Sequence, residues 1–177
     1  MILYSSNDFK IQEFKRILGN AIEIKKGKDL EEVNGTALEV IKYKALEYGN
    51  GSIVEDSILL VNGKEVVDIK FNENSLIDGA NATWLVSLGY NLNGEIFVYQ
   101  GVIHGTIKQT NKEGYSFAPY FYPNGTELSL EELENKGMKE NFSARKIALM
   151  NLKENNYLFR LKKKEIVEWE GEYQKVA

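Results

Sequence analysis

The sequence predicts a mixed α/β fold, and three observations carry that reading. Short apolar runs alternate with stretches whose apolar residues recur at helical spacing, the pattern of strands interleaved with helices. The pair Asn62-Gly63 separates an apolar run at 53–61 from another at 65–71, the signature of a two-residue antiparallel hairpin turn. No internal repeat, low-complexity segment or proline-rich linker divides the chain, whose only prolines are Pro119 and Pro123. A strand–helix alternation that contains an antiparallel hairpin is not a purely doubly wound parallel sheet.

Each element has its own warrant. Residues 2–5 form an apolar strand that stops at Ser5-Ser6-Asn7. A helix over 7–18 follows, with Ile11, Phe14, Ile17 and Leu18 on one face. A short strand is expected at 21–24. Residues 36–49 read as a helix ended by Gly49-Asn50-Gly51. The hairpin of 53–61 and 65–71 comes next. Residues 75–90 are predicted helical from the spacing of Leu76, Ala80, Trp84, Leu85 and Leu88. Strands are expected at 95–109 and 115–122, and helices at 129–137 and 142–154. The segment 157–177 carries Lys162-Lys163-Lys164 and weak alternation around Ile166, Val167 and Trp169. It reads as a solvated strand or appended hairpin. The expected organisation is one domain over 1–155, with an extension at 156–177 packed on or beside it.

Composition narrows the function classes. At 177 residues, with 43% hydrophobic and 27% charged residues, the chain has the balance of an ordinary soluble domain with a sizeable core. A net charge of −4 argues against a general nucleic-acid binder, while leaving room for a locally positive pocket that takes a small anion. There is no cysteine and a single histidine, His104, so thiolate and multi-histidine metal sites are excluded. Any metal must sit among oxygen ligands, which suits Mg²⁺, Mn²⁺ or Ca²⁺. No apolar run approaches the length of a membrane span, and the first residues lack the pattern of a signal peptide. The cytoplasm is the expected compartment.

Five segments carry candidate chemistry. At Ser5-Ser6-Asn7 a strand runs into a helix start, where backbone N–H groups and the helix dipole suit an anion and Lys10 adds a full charge. The same residues also suit a plain helix cap. Glu55 and Asp56 follow an apolar strand start, where acids are costly unless solvated, paired or metal-bound; they also fit a charged strand end. Glu32 precedes a helix bearing Glu39 and Lys44. Glu32 could add an oxygen ligand, Glu39 could cap the helix, and Lys44 is either a phosphate-binding lysine or a surface one. Residues 115–122 hold five aromatics in eight positions, enough to stack on a nucleobase or to pack a core strand. Lys139, Ser143 and Arg145 open the last helix, where the planar fork of Arg145 could grip a phosphate or a base carbonyl.

Taken in order, these pieces resemble the inosine triphosphate pyrophosphatase family, which hydrolyses non-standard purine nucleoside triphosphates. Ser5, Asn7, Lys10 and Glu13 match its T/S-x-N-x-x-K-x-x-E opening. Glu32, Glu39, Lys44 and Ala45 fall in register with an acidic turn and an E-N-A-x-x-K-A-like helix, with Val40 in place of the usual asparagine. Glu55-Asp56-Ser57-Ile58-Leu59 matches a D/E-D-S/T-x-L segment. Gly101, Gly105 and Ile107 match a G-x-x-x-G-x-I strand. Residues 114–121 match a G-F-G-Y/W-D-P-x-F segment, and Lys139 with Ser143-Ala144-Arg145 matches a closing K-x-x-x-S-H-R. The likeness spans residues 2 to about 153. Three positions depart from it. Ala118 stands where the family has a base-reading aspartate, Ala144 where it has a histidine, and Ser116 where it has a glycine.

The resemblance implies an elongated, twisted mixed sheet flanked by helices. It implies cleavage of a nucleoside triphosphate between its α- and β-phosphates, with a nucleotide-binding protein of low or no activity as the alternative. Asp56 would be the general base or water activator, and Glu32, Glu55 and Asp56 would hold Mg²⁺ or Mn²⁺. Lys10 and Lys44 would act on the phosphates together with Ser5, Ser6 and Asn7. Ser57, Lys70, Phe117, Lys139, Ser143 and Arg145 would make further substrate contacts, with Phe117 stacking on the base. A homodimer in the cytoplasm, with a nucleotide and no nucleic acid or membrane as partner, is the family expectation. Without the aspartate and the histidine, base preference is expected to broaden or shift.

Overall fold

A computed structural model describes residues 1–66, 73–110 and 113–174. Among them the elements run β1 (Ile2–Ser5), α1 (Asp8–Leu18), β2 (Glu23–Lys26), α2 (Ala37–Lys44), β3 (Ser52–Val61), β4 (Lys64–Val66), β5 (Asn81–Leu92), β6 (Glu95–Ile107), β7 (Phe121–Pro123), α3 (Leu130–Asn135), α4 (Ala144–Lys153) and β8 (Phe159–Lys162). The strands pair in the order β2-β1-β3-β5-β6-β7, with β4 on β3 and β8 on β6. β1 is parallel to both β2 and β3. β4, β7 and β8 are antiparallel to their partners. The fold is therefore a mixed α/β sheet with flanking helices, as the sequence predicts. Among the described residues no helix is long and apolar enough to cross a membrane.

The chain divides into two compact units. The first comprises Met1–Asp56, Ser87–Gln100 and Ala148–Ala177, the second Ser57–Val86 and Gly101–Ile147. In the first unit, Ile41 of α2 and Ala45 just past its end meet Val54, Ile96 and Val98 in an apolar cluster, with Leu161 and Ile166 packed against it. Burial of such side chains contributes roughly 1.5–3 kcal/mol each. In the second unit the fully buried residues include Leu59, Leu76, Trp84, Ile107, Phe121 and Leu133. The hairpin turn is as expected, since Asn62 (φ 50°) and Gly63 (φ 79°) both take the left-handed backbone that this turn requires. A Cβ at Gly105 would collide with the Phe121 ring and the Tyr122 carbonyl, which explains the glycine where β7 crosses β6.

Three expected elements are different. Residues 75–90 are not a helix. A short 3₁₀ turn at Glu73–Ser75 is followed by β5, in which Ala82, Trp84, Val86 and Leu88 alternate inward and are all buried. Leu76, Ala80, Trp84 and Leu88 lie four apart, a spacing that a helix face and one face of a strand share. The left-handed Gly79 (φ 80°) breaks any helix between them. The expected strand at 115–122 is mostly turn, closed by N–H bonds from Ala118 to the Tyr115 carbonyl (3.1 Å) and from Tyr120 to Phe117 (2.9 Å). Only Phe121–Pro123 extends and pairs. The helix expected at 36–49 ends at Lys44. Buried Asn91 donates its side-chain amide to the Ala45 carbonyl (3.1 Å) and the Tyr48 carbonyl (3.0 Å), capping groups that helix continuation would otherwise use. The strand expected at 21–24 sits two residues later, in register with β1. Of the strand expected at 65–71, Glu65 and Val66 belong to β4, and the remainder, Lys70 included, lies outside the described residues.

Candidate active site

In the first unit, three elements bring acids and lysines together. α1 presents Lys10, α2 presents Lys44, and β3 presents Glu55 and Asp56. α2 starts with a capping box. Thr36 Oγ1 accepts the Glu39 N–H (3.2 Å), and the Glu39 carboxylate accepts the Thr36 N–H (3.0 Å). These bonds hold the Glu39 carboxyl below the usual range, so Glu39 is structural. Lys10 Nζ lies 3.3 Å from Glu55 Oε1, with the Glu55 side chain only 1% exposed. Lys44 Nζ lies 3.0 Å from Glu32 Oε1 and donates to the Glu55 backbone carbonyl at 2.9 Å. Lys44 faces inward, engaged with Glu32 and the Glu55 carbonyl rather than lying on the surface.

The electrostatics differ among these groups. Asp56, 9% exposed, has its carboxyl pushed up from 3.8 to about 6. Burial is the largest cause and Glu32 adds to it, while Lys44 and Lys10 pull the other way. For Lys44, burial acts to lower the ammonium pKa, but the carboxylates of Glu32, Asp56 and Glu55 outweigh it and the net shift is upward. Three carboxylates thus face two lysines, leaving a formal excess of one negative charge in an oxygen-only donor set. Among the described residues no three His, Cys, Asp or Glu side chains converge as a metal-ion group. Glu55 and Glu32 are drawn to Lys10 and Lys44 instead, so the expected trio of Glu32, Glu55 and Asp56 is not assembled as a closed site. Oxygen chemistry and excess negative charge still fit a hard divalent cation that brings phosphate oxygens as its other ligands.

A cavity of about 160 Å³ opens beside this cluster, lined by residues 5–7, Lys10, Lys28, Glu32, Lys44, Tyr48 and Glu55 among others. The helix-cap reading of the β1–α1 junction is seen there. Asn7 is the helix cap, its side-chain oxygen accepting the Phe9 N–H (3.0 Å) and the Lys10 N–H (3.2 Å), and Ser5 Oγ accepts the Asn7 N–H (3.2 Å). The same residues form the cavity wall beside the two lysines. Tyr48 stacks on Tyr4 at 4.1 Å and accepts the Lys28 N–H, stiffening the opposite wall. The motifs in the sequence single out neither Lys28 nor Tyr48; a lysine next to a glycine just past β2 is the only local signal for the first.

The second unit holds the remaining aromatic and cationic candidates. Trp84 of β5 donates its indole N–H to Ser57 Oγ at 2.8 Å. Phe117 meets Trp84 edge-on at 6.1 Å and Phe121 at 6.0 Å. Lys139 Nζ lies 5.7 Å and the Arg145 guanidinium 5.3 Å from the centre of the Trp84 ring, within cation–π range. Arg145 is 5% exposed. Ser143 Oγ accepts the Lys146 N–H at 3.2 Å, the bond of a helix cap. Phe117, Lys139 and Arg145 are brought together, Ser57 is engaged with Trp84, and Ser143 caps α4. Trp84 organises the group, a role that its assignment to a helix face concealed. Ala144 is fully buried.

The Ham1 family model matches residues 1–64 and 70–155. The chain belongs to the Ham1 family. A dITP/XTP pyrophosphatase of Korarchaeum cryptofilum is 28% identical to this Ham1 chain over 178 residues, covering 87% of this chain and 94% of that protein. The solved structure of the Staphylococcus aureus Ham1 protein superposes with a TM-score of 0.65 at 21% identity, covering 88% of this chain and 97% of that one. The Ham1 match contains the acid–lysine cluster and the aromatic group, and ends before the segment 156–177. The family read from the sequence motifs and the family found by comparison agree.

Proposed function

We propose that this chain is a nucleoside triphosphate pyrophosphatase that hydrolyses purine triphosphates, non-standard ones among them, to the monophosphate and pyrophosphate. The observation that carries the reading is the buried Asp56 among Glu32, Glu55, Lys10 and Lys44, beside a cavity walled by residues 5–7. The Ham1 match and the pyrophosphatase name of the Korarchaeum relative support the same reaction. Phosphoryl chemistry asks little covalent help of a protein; it asks for positioning and charge neutralisation. Lys10 and Lys44 hold the phosphate chain, with the polar groups of Ser5, Ser6 and Asn7 on its flank. Asp56 takes a proton from water as the α–β anhydride opens, and a carboxyl near 6 is suited to that task at neutral pH. Glu32, Glu55 and Asp56 would hold Mg²⁺, or Mn²⁺ in its place. When bound, the ion neutralises phosphate charge.

In the second unit, Phe117 stacks on the base, and Lys139 and Arg145 contact the base edge or phosphate oxygens. Ser57, Ser143 and Lys70 complete the proposed substrate contacts. With Ala118 and Ala144 in place of two polar base readers, discrimination rests on stacking and cations, so preference among purines is broadened or shifted. A cytoplasmic homodimer that takes nucleotides and no nucleic acid completes the proposal. The test is pyrophosphate release from inosine, xanthosine, adenosine and guanosine triphosphates with Mg²⁺. Release across several purines supports the reading. Strict selectivity for inosine and xanthosine over the other two would overturn the base assignment, and nucleotide binding without release would select the non-catalytic alternative.

A further inference from the structure

We propose that residues 166–174 form a strap that positions the Glu32–Lys44 pair, with Trp169 and Gln174 as its positioning residues. This rests on the reading of that pair as part of the phosphate site. The two partners sit on separate elements. Lys44 ends α2, whereas residues 27–32 belong to no helix or strand, so nothing in the sheet sets the place of Glu32.

The strap holds both. Toward α2, Ile166 packs against the Ile41–Ala45 cluster. The Tyr43 hydroxyl donates to the Val167 carbonyl at 2.7 Å, and Trp169 meets the Tyr43 ring edge-on at 5.4 Å. Toward Glu32, Tyr173 bridges Val33 in antiparallel register. The Gln174 N–H donates to the Glu32 carbonyl at 2.8 Å, and its side-chain amide to the Val33 carbonyl at 3.2 Å. One carbonyl joins the two halves. Glu172 O accepts the Trp169 indole N–H at 2.8 Å and the Asn34 N–H at 2.9 Å. The strap thus ties α2 and the Glu32 segment to one frame, and the side-chain pair closes at 3.0 Å within it. These residues lie beyond the family match, which ends at 155.

Misplacing a catalytic group by about 1 Å can cost up to roughly 100-fold in rate. A chain ended after Gly171, which removes the Glu172 carbonyl along with Tyr173 and Gln174, should lose about 10-fold in kcat/KM for Mg²⁺-nucleoside triphosphate, chiefly through KM. The Asn34 amide should exchange with solvent about 10-fold faster. Added to Glu32→Gln, the truncation should cost nothing more, because both changes act on one pair. Trp169→Phe, which keeps the ring and removes the indole donor, should give the same pattern at about 3-fold, and it serves if the truncated chain does not fold. A kcat/KM within 2-fold of normal, a loss that multiplies with Glu32→Gln, or a loss confined to kcat with unchanged Asn34 exchange would overturn the strap. If the full chain releases no pyrophosphate at all, the functional reading fails. The Asn34 exchange then decides the strap alone, unchanged exchange refuting it.

Discussion

The acid–lysine cluster of the first unit and the aromatic–cation cluster of the second use buried charge in opposite ways. In the first, lysines face carboxylates directly, at 3.3 Å for Lys10–Glu55 and 3.0 Å for Lys44–Glu32, and the surplus acid is raised to about 6. In the second, Lys139 and Arg145 lie over the face of Trp84, and the indole donor is satisfied by Ser57. A surplus acid is strain that a reaction can use, since it sits poised to accept a proton. A cation on an aromatic face is a settled arrangement that shapes a wall. Under the proposed function, the first cluster would carry the chemistry and the second the recognition of the base.

Breaking the first cluster should have the largest effect. Asp56→Asn is expected to lower kcat by about 100- to 10,000-fold, the range for losing a general base, with the far-ultraviolet circular dichroism spectrum unchanged. An equal loss from Phe117→Ala would erase the distinction between the clusters. Trp84→Ala comes next, with an expected loss of about 3–5 kcal/mol in denaturant unfolding, because a fully buried indole leaves a cavity that Phe117 and Phe121 cannot fill.

Asp56 also predicts a pH signature in chelator. Its folded-state value, about 6, lies above the ordinary 3.8, so the folded chain holds the proton better than the unfolded one. Its contribution to stability is therefore full below about pH 4, is lost as pH rises toward 6, and is constant above that. Asp56→Asn should be more stable than the parent at pH 7 by up to about 3 kcal/mol, with the gain vanishing near pH 4. A gain that does not change with pH would contradict the burial account. Phe117→Ala should raise KM with kcat little changed, by the roughly 1–3 kcal/mol that stacking on a base contributes. The smallest effect is expected at Ser116, which holds a left-handed backbone (φ 55°) that favours glycine. Ser116→Gly should add about 0.5–1 kcal/mol in thermal unfolding by relieving that strain.

How much of this could be read in the sequence follows the same division. Acids in an apolar strand are expensive, so Glu55 and Asp56 stand out, and their order with Lys10, Glu32 and Lys44 points to the family from the sequence alone. The Asn62-Gly63 turn was equally legible, because its backbone demand selects those residues. Trp84 was not. Apolar residues four apart satisfy a helix and a strand alike, and only the buried Ala82 and Val86 between them reveal the period of two. The aromatic run at 115–122 reads as a strand by composition, yet Ser116 and the bonds across Tyr115 to Phe121 fold most of it into turns. The strap was out of reach for another reason. Pairing of Val33 with Tyr173 spans most of the chain, and no local pattern encodes it.

The most direct test of the central claim is phosphorus NMR of inosine triphosphate incubated with the full-length chain and Mg²⁺. Cleavage between the α- and β-phosphates should yield inosine monophosphate and pyrophosphate as the first products. Inosine diphosphate with orthophosphate, or no turnover by the folded chain, would contradict it.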